Sequence, residues 1–525
     1  MDAPYLDTVL YDNFYELLKG RFGDSAEKSA IRYFAGDEIV SISYRELVRR
    51  VACVYFYLKE HLKDGAHIGI LSENRYEYIV IWLAAVFDHV IVPLDKELDA
   101  ESLAESGKAF DIDFLFCTEK TMKAAEGAFG CELSCIDRSF SAIIENGDPV
   151  ERFFGSVEHT DAERFAVLAS TSGTDGRMKG VMLCQRNVIM NIRGTLENNV
   201  LKDPTLAFLP MNHSYGFHPC ILATLYNGTT LCLNTELKHL ARDLKAFDPY
   251  FFGAVPMVVE GLYDKILREV KRRGKERTFR RMIALSNGLR KLGIDLRHLF
   301  FGKFINPRLR LVVSGGAPLG AEAVKRFDEL GITILNGYGL TECSPTVAVS
   351  RACQNVPGSA GFIMKHIEVK TAEDGELLVK GPCVMLGYYK DEASTKAVMR
   401  GEYLATGDLG HTEGKILFVT GRKKNLIILG NGKNVAPEYL EGKLGGLEAV
   451  RECLVVAAKG AGKEKIIRAL IRLKEGADAS ELKEGIDGIN RGLPPWMRIA
   501  DSRILTEEFE KNGSGKILRS RYTDV

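Results

Sequence analysis

The stretch from residue 308 to residue 342 restricts the fold more than any other part of the chain. Residues 308–313 read as an apolar strand, Ser314-Gly315-Gly316-Ala317-Pro318 as a turn, 321–330 as a helix and 332–335 as a second strand. This second strand runs into a further predicted turn, Asn336-Gly337-Tyr338-Gly339-Leu340-Thr341-Glu342. A strand–helix–strand crossover makes the two strands parallel and puts both glycine turns at one carboxyl edge, where such sheets bind ligands. At that edge a tyrosine between two glycines either stacks on a planar base or simply closes a turn. Thr341 and Glu342 have the chemistry for phosphate and a cation, since a carboxylate oxygen is the hard ligand that Mg2+ prefers. Strand-like runs at His67–Leu71 and 90–94 alternate with helical stretches, which predicts an α/β body. Ahead of them Ser43 and Glu46 form a predicted capping box. It opens a helix with Leu47, Val51, Val54, Leu58 and Leu62 on one face.

A second informative stretch is Thr171-Ser172-Gly173-Thr174-Asp175-Gly176-Arg177-Met178-Lys179-Gly180, set between the apolar runs 165–170 and 181–184. Small residues let backbone N–H groups and hydroxyls close around phosphate oxygens, and Lys179 adds a point charge. It is not a Walker loop, because Gly180 rather than Ser or Thr follows the lysine, and a strand rather than a helix comes next. Composition alone leaves a glycine-rich hairpin turn as an equal alternative.

A chain of 525 residues exceeds one ordinary core, so a large body and a smaller domain are expected. Its formal net charge of zero gives no global pull toward nucleic acid or an anionic membrane. The start, Met1-Asp2-Ala3-Pro4, lacks a basic-then-apolar signal, and the longest apolar run, 78–87, is about half of a bilayer span. The eleven cysteines lack CxxC pairs, which argues against a disulfide framework or zinc site. A cytoplasmic location is the expectation. After about residue 370 short strands take over, at 375–379, 415–419 and 426–429, with Thr406-Gly407-Asp408 between them. Asp408 either caps a turn or accepts hydrogen bonds from a ribose diol. The charged joint Gly421-Arg422-Lys423-Lys424-Asn425 divides a predicted body, 1–421, from a compact α+β tail, 422–525. Near the end, Asn512-Gly513-Ser514-Gly515-Lys516-Ile517 puts a lysine on a flexible loop, where a solvated surface lysine is the commoner meaning.

Taken in order, and with Leu209-Pro210-Met211-Asn212-His213-Ser214-Tyr215-Gly216, these segments resemble the adenylate-forming (AMP-binding) superfamily of acyl-CoA synthetases, luciferases and nonribosomal adenylation domains. The resemblance covers nearly the whole chain. It implies an α/β fold, with a large multi-subdomain N-terminal body containing parallel sheets and a small mobile α+β C-terminal domain. It also implies that Thr171, Ser172, Gly173, Thr174 and Lys179 hold the β- and γ-phosphates of ATP. Gly315, Gly316, Ala317, Asn336, Gly337, Tyr338 and Gly339 line the adenine site, and Asp408 and Arg422 take the ribose. Thr341 meets the α-phosphate, Glu342 and Thr174 hold Mg2+, and Lys516 bridges the attacking carboxylate and the α-phosphate. His213 joins Thr341, Glu342 and Lys516 in the catalytic group. Lys424 is the hinge about which the tail rotates between half-reactions, and Gly430, Gly432 and Lys433 lie where the thiol tunnel of coenzyme A is entered.

Members that activate amino acids carry an aspartate near Asn212-His213-Ser214-Tyr215, and this chain has none there, which disfavours an amino acid. The joint at 421–425, the following 432–437 and the long helical segment 256–304 look most like long-chain fatty acyl-CoA synthetases. A medium- or long-chain fatty acid is therefore expected, each buried methylene contributing about 0.8 kcal/mol, with aryl acids still open. Ligases that bypass CoA carry an insertion, and the compact segment 361–387 gives no sign of one, which favours CoA over a carrier protein. A low-activity nucleotide- or acyl-binding relative acting as a partner is the other alternative. Residues 268–281 hold eight basic residues, including Arg277, Arg280 and Arg281, against Glu269 and Glu276. Such a run is a solvated helix face, or else a peripheral contact for anionic lipid. Asp175 stands where the family usually has Thr, Met178 where it has Pro, Gln185 where many have His, and Tyr403 where Trp is common. A carboxylate about 4 Å from a phosphate charge costs about 4 kcal/mol at an effective dielectric of 20. Asp175→Thr is thus expected to lower the apparent KM for MgATP in steady-state assays, and an unchanged or higher KM would mean that the side chain points elsewhere.

Overall fold

The computed structural model describes residues 4–145, 147–172, 178–234, 236–301, 308–317, 319–430, 432–460, 464–511 and 517–522. Helix α1 (Tyr44–His61) starts where the sequence predicts, with Ser43 Oγ accepting the Glu46 N–H at 3.2 Å. The reciprocal half of the capping box is missing. Glu46 instead accepts Arg49 and Arg50 at 2.8 and 2.6 Å, because charge-assisted bonds outcompete one backbone N–H. Leu47, Val51, Val54 and Leu58 are buried as expected, and Leu62 lies at the C-cap. Helix α2 (Tyr76–Ala85) buries every residue from Tyr78 onward, so the longest apolar run is a core helix surrounded on all sides.

Among the described residues seven strands form a smaller sheet. His67–Leu71, Val90–Pro93 and their neighbours run parallel, and the hairpin of β1 (Phe165–Ser172) and β2 (Met178–Cys184) borders them. The main sheet has fourteen strands among the described residues. Its parallel half includes β3 (Phe251–Ala254), β4 (Leu311–Ser314) and β5 (Thr333–Gly339). Helices α3 (Pro256–Arg272), α4 (Glu276–Arg290) and α5 (Arg297–Phe301) lie between β3 and β4, and α6 (Ala321–Glu329) makes the crossover from β4 to β5. The antiparallel half starts at β6 (Thr346–Val349) and includes β7 (Tyr403–Glu413) and β8 (Ile416–Arg422).

The predicted crossover is present, but its ends differ from expectation. The first strand begins at Leu311, and the second does not turn at Asn336. Instead β5 continues through Gly337, Tyr338 and Gly339, because β6 returns antiparallel and pairs with them. Glycine is required at 339, where a Cβ would sit 2.0 Å from the Pro345 carbonyl oxygen.

Beyond Arg422 the strands leave the main sheet. A short hairpin, Ile427–Ile428 with Asn434–Val435, leads into α7 (Pro437–Gly445), β9 (Val450–Lys459), β10 (Lys465–Leu473), α8 (Ala479–Arg491) and β11 (Asp501–Ile504). This α+β unit has its own core of Leu440, Val455, Ile471 and Leu482. Among the described residues no helix is long and apolar enough to cross a membrane.

His218 is a buried titratable group beside this framework. Its Nδ1 lies 2.9 Å from the Ser344 carbonyl oxygen, and Trp82 and Phe217 flank the ring. Burial holds the imidazole down to about 4, more than the Ser344 contact raises it. A neutral folded histidine whose unfolded value is about 6.5 contributes stability in full above that pH, and loses it as pH falls toward 4. His218→Asn is expected to flatten the fall of Tm between these values in melts recorded across pH.

Candidate active site

A cleft of about 2030 Å³ separates the carboxyl edge of the parallel strands from the C-terminal unit. Val255, Gly315 and Tyr338 line it on one side, and Glu441, Arg451 and Lys511 on the other. The β1–β2 hairpin brings Thr171 directly opposite Lys179, and both face the cleft. Ser172 pairs through its backbone with Met178. The expected phosphate-loop residues Gly173 and Thr174, with Asp175, lie outside the described residues.

Lys179 Nζ donates to Ser394 Oγ at 2.9 Å and sits 5.0 Å from the centre of the Tyr388 ring. Tyr388 Oη in turn donates to Glu342 Oε1 at 2.9 Å. Burial, and then the neighbouring Glu342 charge, push the Tyr388 phenol well up, so it stays a donor through neutral pH. Glu342 rides on the short helix Thr341–Cys343, held by its carbonyl accepting the Met385 N–H at 2.9 Å. Its Oε2 accepts no hydrogen bond among the described residues. Thr341 lines the same wall, as does His213, which precedes the short helix Ser214–Phe217.

On the other side of Tyr338, Asp408 and Arg422 face one another across β7 and β8. Arg422 Nε donates to Asp408 Oδ1 at 2.7 Å and Tyr338 Oη donates to Asp408 Oδ2 at 2.8 Å. Burial and the Asp408 charge raise the Tyr338 phenol far above its ordinary value. Asp408 therefore does not cap a turn. It is a buried strand residue that fixes a tyrosine and an arginine at the cleft.

Gly315 packs against Tyr215, whose ring carbon a Cβ would meet at 2.6 Å, and Gly316 adopts a φ of +82°. Gly316 and Ala317 form an exposed rim. Tyr215 Oη donates to the carbonyls of Ala254 and Val313 at 3.2 and 2.9 Å, tying the ends of β3 and β4 together beneath the cleft. Asn336, at the end of the β4–β5 pairing, points its Nδ2 toward Ser359 O at 3.4 Å, while its buried Oδ1 has no partner among the described residues. Gly337 and Gly339 line the cleft, whereas the structure does not bring Asn336 to it.

Lys424 also faces the cleft, and burial, followed by repulsion from Arg422, lowers its pKa. The adjacent Lys423 pairs with Asp374 and Glu376 at 2.5 and 2.8 Å. The structure does not bring Gly430, Gly432 and Lys433 to the cleft. They belong to the tail's own hairpin, with Lys433 5.7 Å from the Trp496 ring centre. Lys516 lies outside the described residues, although Lys511 and Ile517 pair with one another and line the cleft. Sequence reading missed Tyr388 and Ser394. Neither carries a charge nor sits in a glycine turn, and only the Gly387-Tyr388-Tyr389 triplet hinted at them.

Residues 21–389 match the family described as AMP-binding enzyme, and residues 439–516 match the AMP-binding enzyme C-terminal domain. Over 436 residues the chain is 33% identical to the long-chain-fatty-acid–CoA ligase FadD15 of Mycobacterium bovis, covering 75% of this chain and 71% of that protein. It is 28% identical over 450 residues to the peroxisomal long chain acyl-CoA synthetase 6 of Arabidopsis thaliana, covering 74% and 63%. Among solved structures, the anthranilate CoA ligase AuaEII in complex with anthranoyl-AMP superposes with a TM-score of 0.81 at 19% identity, over 98% of each chain. ATP-bound MatB from Rhodopseudomonas palustris gives 0.79 at 23%, again over 98% of each.

Proposed function

The chain belongs to the AMP-binding enzyme family, and on that premise we propose that it joins a carboxylic acid to coenzyme A through an acyl-adenylate. The acid's oxygen attacks the α-phosphorus of ATP and pyrophosphate leaves. A thiol then attacks the acyl carbonyl and AMP leaves. The observation that carries this reading is one cleft gathering Lys179, Glu342 and Arg422 from three distant stretches of chain. Substitution at phosphorus needs positioning and cationic stabilisation more than covalent help, and these residues supply both.

In this reading Thr171, Ser172, Gly173, Thr174 and Lys179 bind the β- and γ-phosphates, and Thr341 the α-phosphate. Asp408 and Arg422 hold the ribose. Gly315, Gly316, Ala317 and the run from Asn336 to Gly339 border the base. Glu342, with one oxygen tied to Tyr388 and the other unengaged among the described residues, suits Mg2+, which takes one or two carboxylates alongside phosphate oxygens; Thr174 would be its second ligand. The ion neutralises phosphate charge when bound. Lys516 opposes the charge that builds in the first step, with His213 on the acyl side. The boundary falls between 421 and 422, and rotation about Lys424 withdraws Lys516 and presents Gly430, Gly432 and Lys433 to the thiol.

A medium- or long-chain fatty acid is the proposed substrate, supported by the relatives named for that activity. The test is pyrophosphate release across a panel of fatty, aryl and short acids, with and without CoA, followed by mass analysis of the products. Release with fatty acids and an acyl-CoA product is expected. Release that ignores CoA and leaves free acyl-AMP would point to a carrier protein as acceptor, and no release with any acid would defeat the reading.

A further inference from the structure

Fifteen large apolar side chains are markedly exposed among the described residues, and six of them fall between 257 and 299, where an even spread would give about one. They are Met257, Leu267, Leu285, Leu292, Ile294 and Leu299, with Leu292 and Leu299 exposed to 75% and 73%. The segment is fastened from within. Phe279 and Ser286 bury one face of α4, and Arg290 and Arg297 each reach Asp328 on α6 at 2.7 Å. On the opposite side of α4, Arg277, Arg281 and Leu285 follow one another at four-residue spacing, so they share a stripe.

Among the described residues the charges along this stripe are uncommitted. Glu269 is taken by Arg272 and Arg273, whereas Arg277, Arg280 and Arg281 form no ion pair among the described residues. Guanidinium groups beside protruding leucines suit a surface with phosphate at one depth and hydrocarbon just below it. A nucleic acid offers the first without the second. We propose that the outer face of α4, with the turn that follows it and α5, docks the protein on an anionic lipid bilayer. Docking stands on these residues alone. Its use, passing a bilayer-dissolved acid to the cleft that Met257 of α3 also lines, rests on the fatty-acid reading.

The test is co-sedimentation of the full chain with vesicles of phosphatidylcholine, alone or mixed with phosphatidylglycerol, at low and high salt. Binding is expected only to the mixed vesicles, and it should weaken with salt. Each basic residue near such a surface contributes about fivefold, from about 1 kcal/mol, so Arg277→Gln with Arg281→Gln should lower partitioning about 30-fold. Leu285→Ser with Leu292→Ser should also release the protein from vesicles. Both variants are checked for folding by Tm and by pyrophosphate release with a soluble medium-chain acid. Equal binding to neutral vesicles, no vesicle binding, or arginine variants that bind unchanged would overturn the proposal. So would single-stranded RNA binding as tightly as the mixed vesicles and indifferent to the leucine changes. Vesicle binding without pyrophosphate release would leave docking intact and defeat the ligase reading instead.

Discussion

Lys516→Ala is expected to slow pyrophosphate release from ATP and acid by roughly 100- to 1000-fold, the loss typical when a donor aimed at developing charge is removed. The same variant should convert supplied acyl-AMP and CoA to thioester at close to the normal rate. The asymmetry follows from the chemistry. Bonds are made and broken at the α-phosphorus only in the first half-reaction, whereas in the second a thiol attacks the acyl carbonyl and the carbon–oxygen bond to AMP breaks. Lys511 and Ile517, which bracket that segment, already line the cleft beside the C-terminal unit. Single-turnover assays on each half-reaction measure the two rates separately, and an equal loss in both would end the two-conformation account.

Glu342→Gln should reduce adenylate formation by about 100-fold, equivalent to about 2.7 kcal/mol at the transition state, and raise the Mg2+ concentration needed for half-maximal rate. Tyr388→Phe provides a graded comparison. It removes one hydrogen bond to Glu342 Oε1 and leaves the carboxylate in place, so about a tenfold shift in Mg2+ dependence is expected, recoverable at high Mg2+. A Tyr388→Phe rate that stays low at every Mg2+ concentration would mean that the tyrosine supports the fold around Lys179 rather than aiming the carboxylate.

Much of this site was legible because its parts are local in sequence. The β1–β2 hairpin, the β4–α6–β5 crossover and the change of texture near Arg422 each announce themselves within one continuous stretch of chain, through glycine, alternation or charge. What could not be read were contacts made across the fold. Nothing near Asp408 indicates that its carboxylate holds Tyr338, seventy residues earlier. Nothing near Tyr388 indicates that its hydroxyl reaches Glu342 while its ring lies under Lys179. The Gly337–Gly339 segment was misread for the same reason. Glycines signal a turn locally, and only the returning strand Thr346–Val349 makes them part of a ladder. The half-formed capping box at Ser43 has a local cause, since Arg49 and Arg50 one turn later were plainly visible competitors for Glu46.

Strand β5 is where the main sheet changes sense, so seven residues complete the parallel half and begin the antiparallel one. An extra residue there would slip the register on both flanks at once and turn every side chain along the seam to the wrong face. Descendants of such a chain can therefore lengthen, shorten or redecorate the helices between Phe251–Ala254 and Leu311–Ser314, while the seam itself stays closed to insertion. New acids would be acquired at the periphery, by a lineage that keeps the nucleotide side nearly fixed.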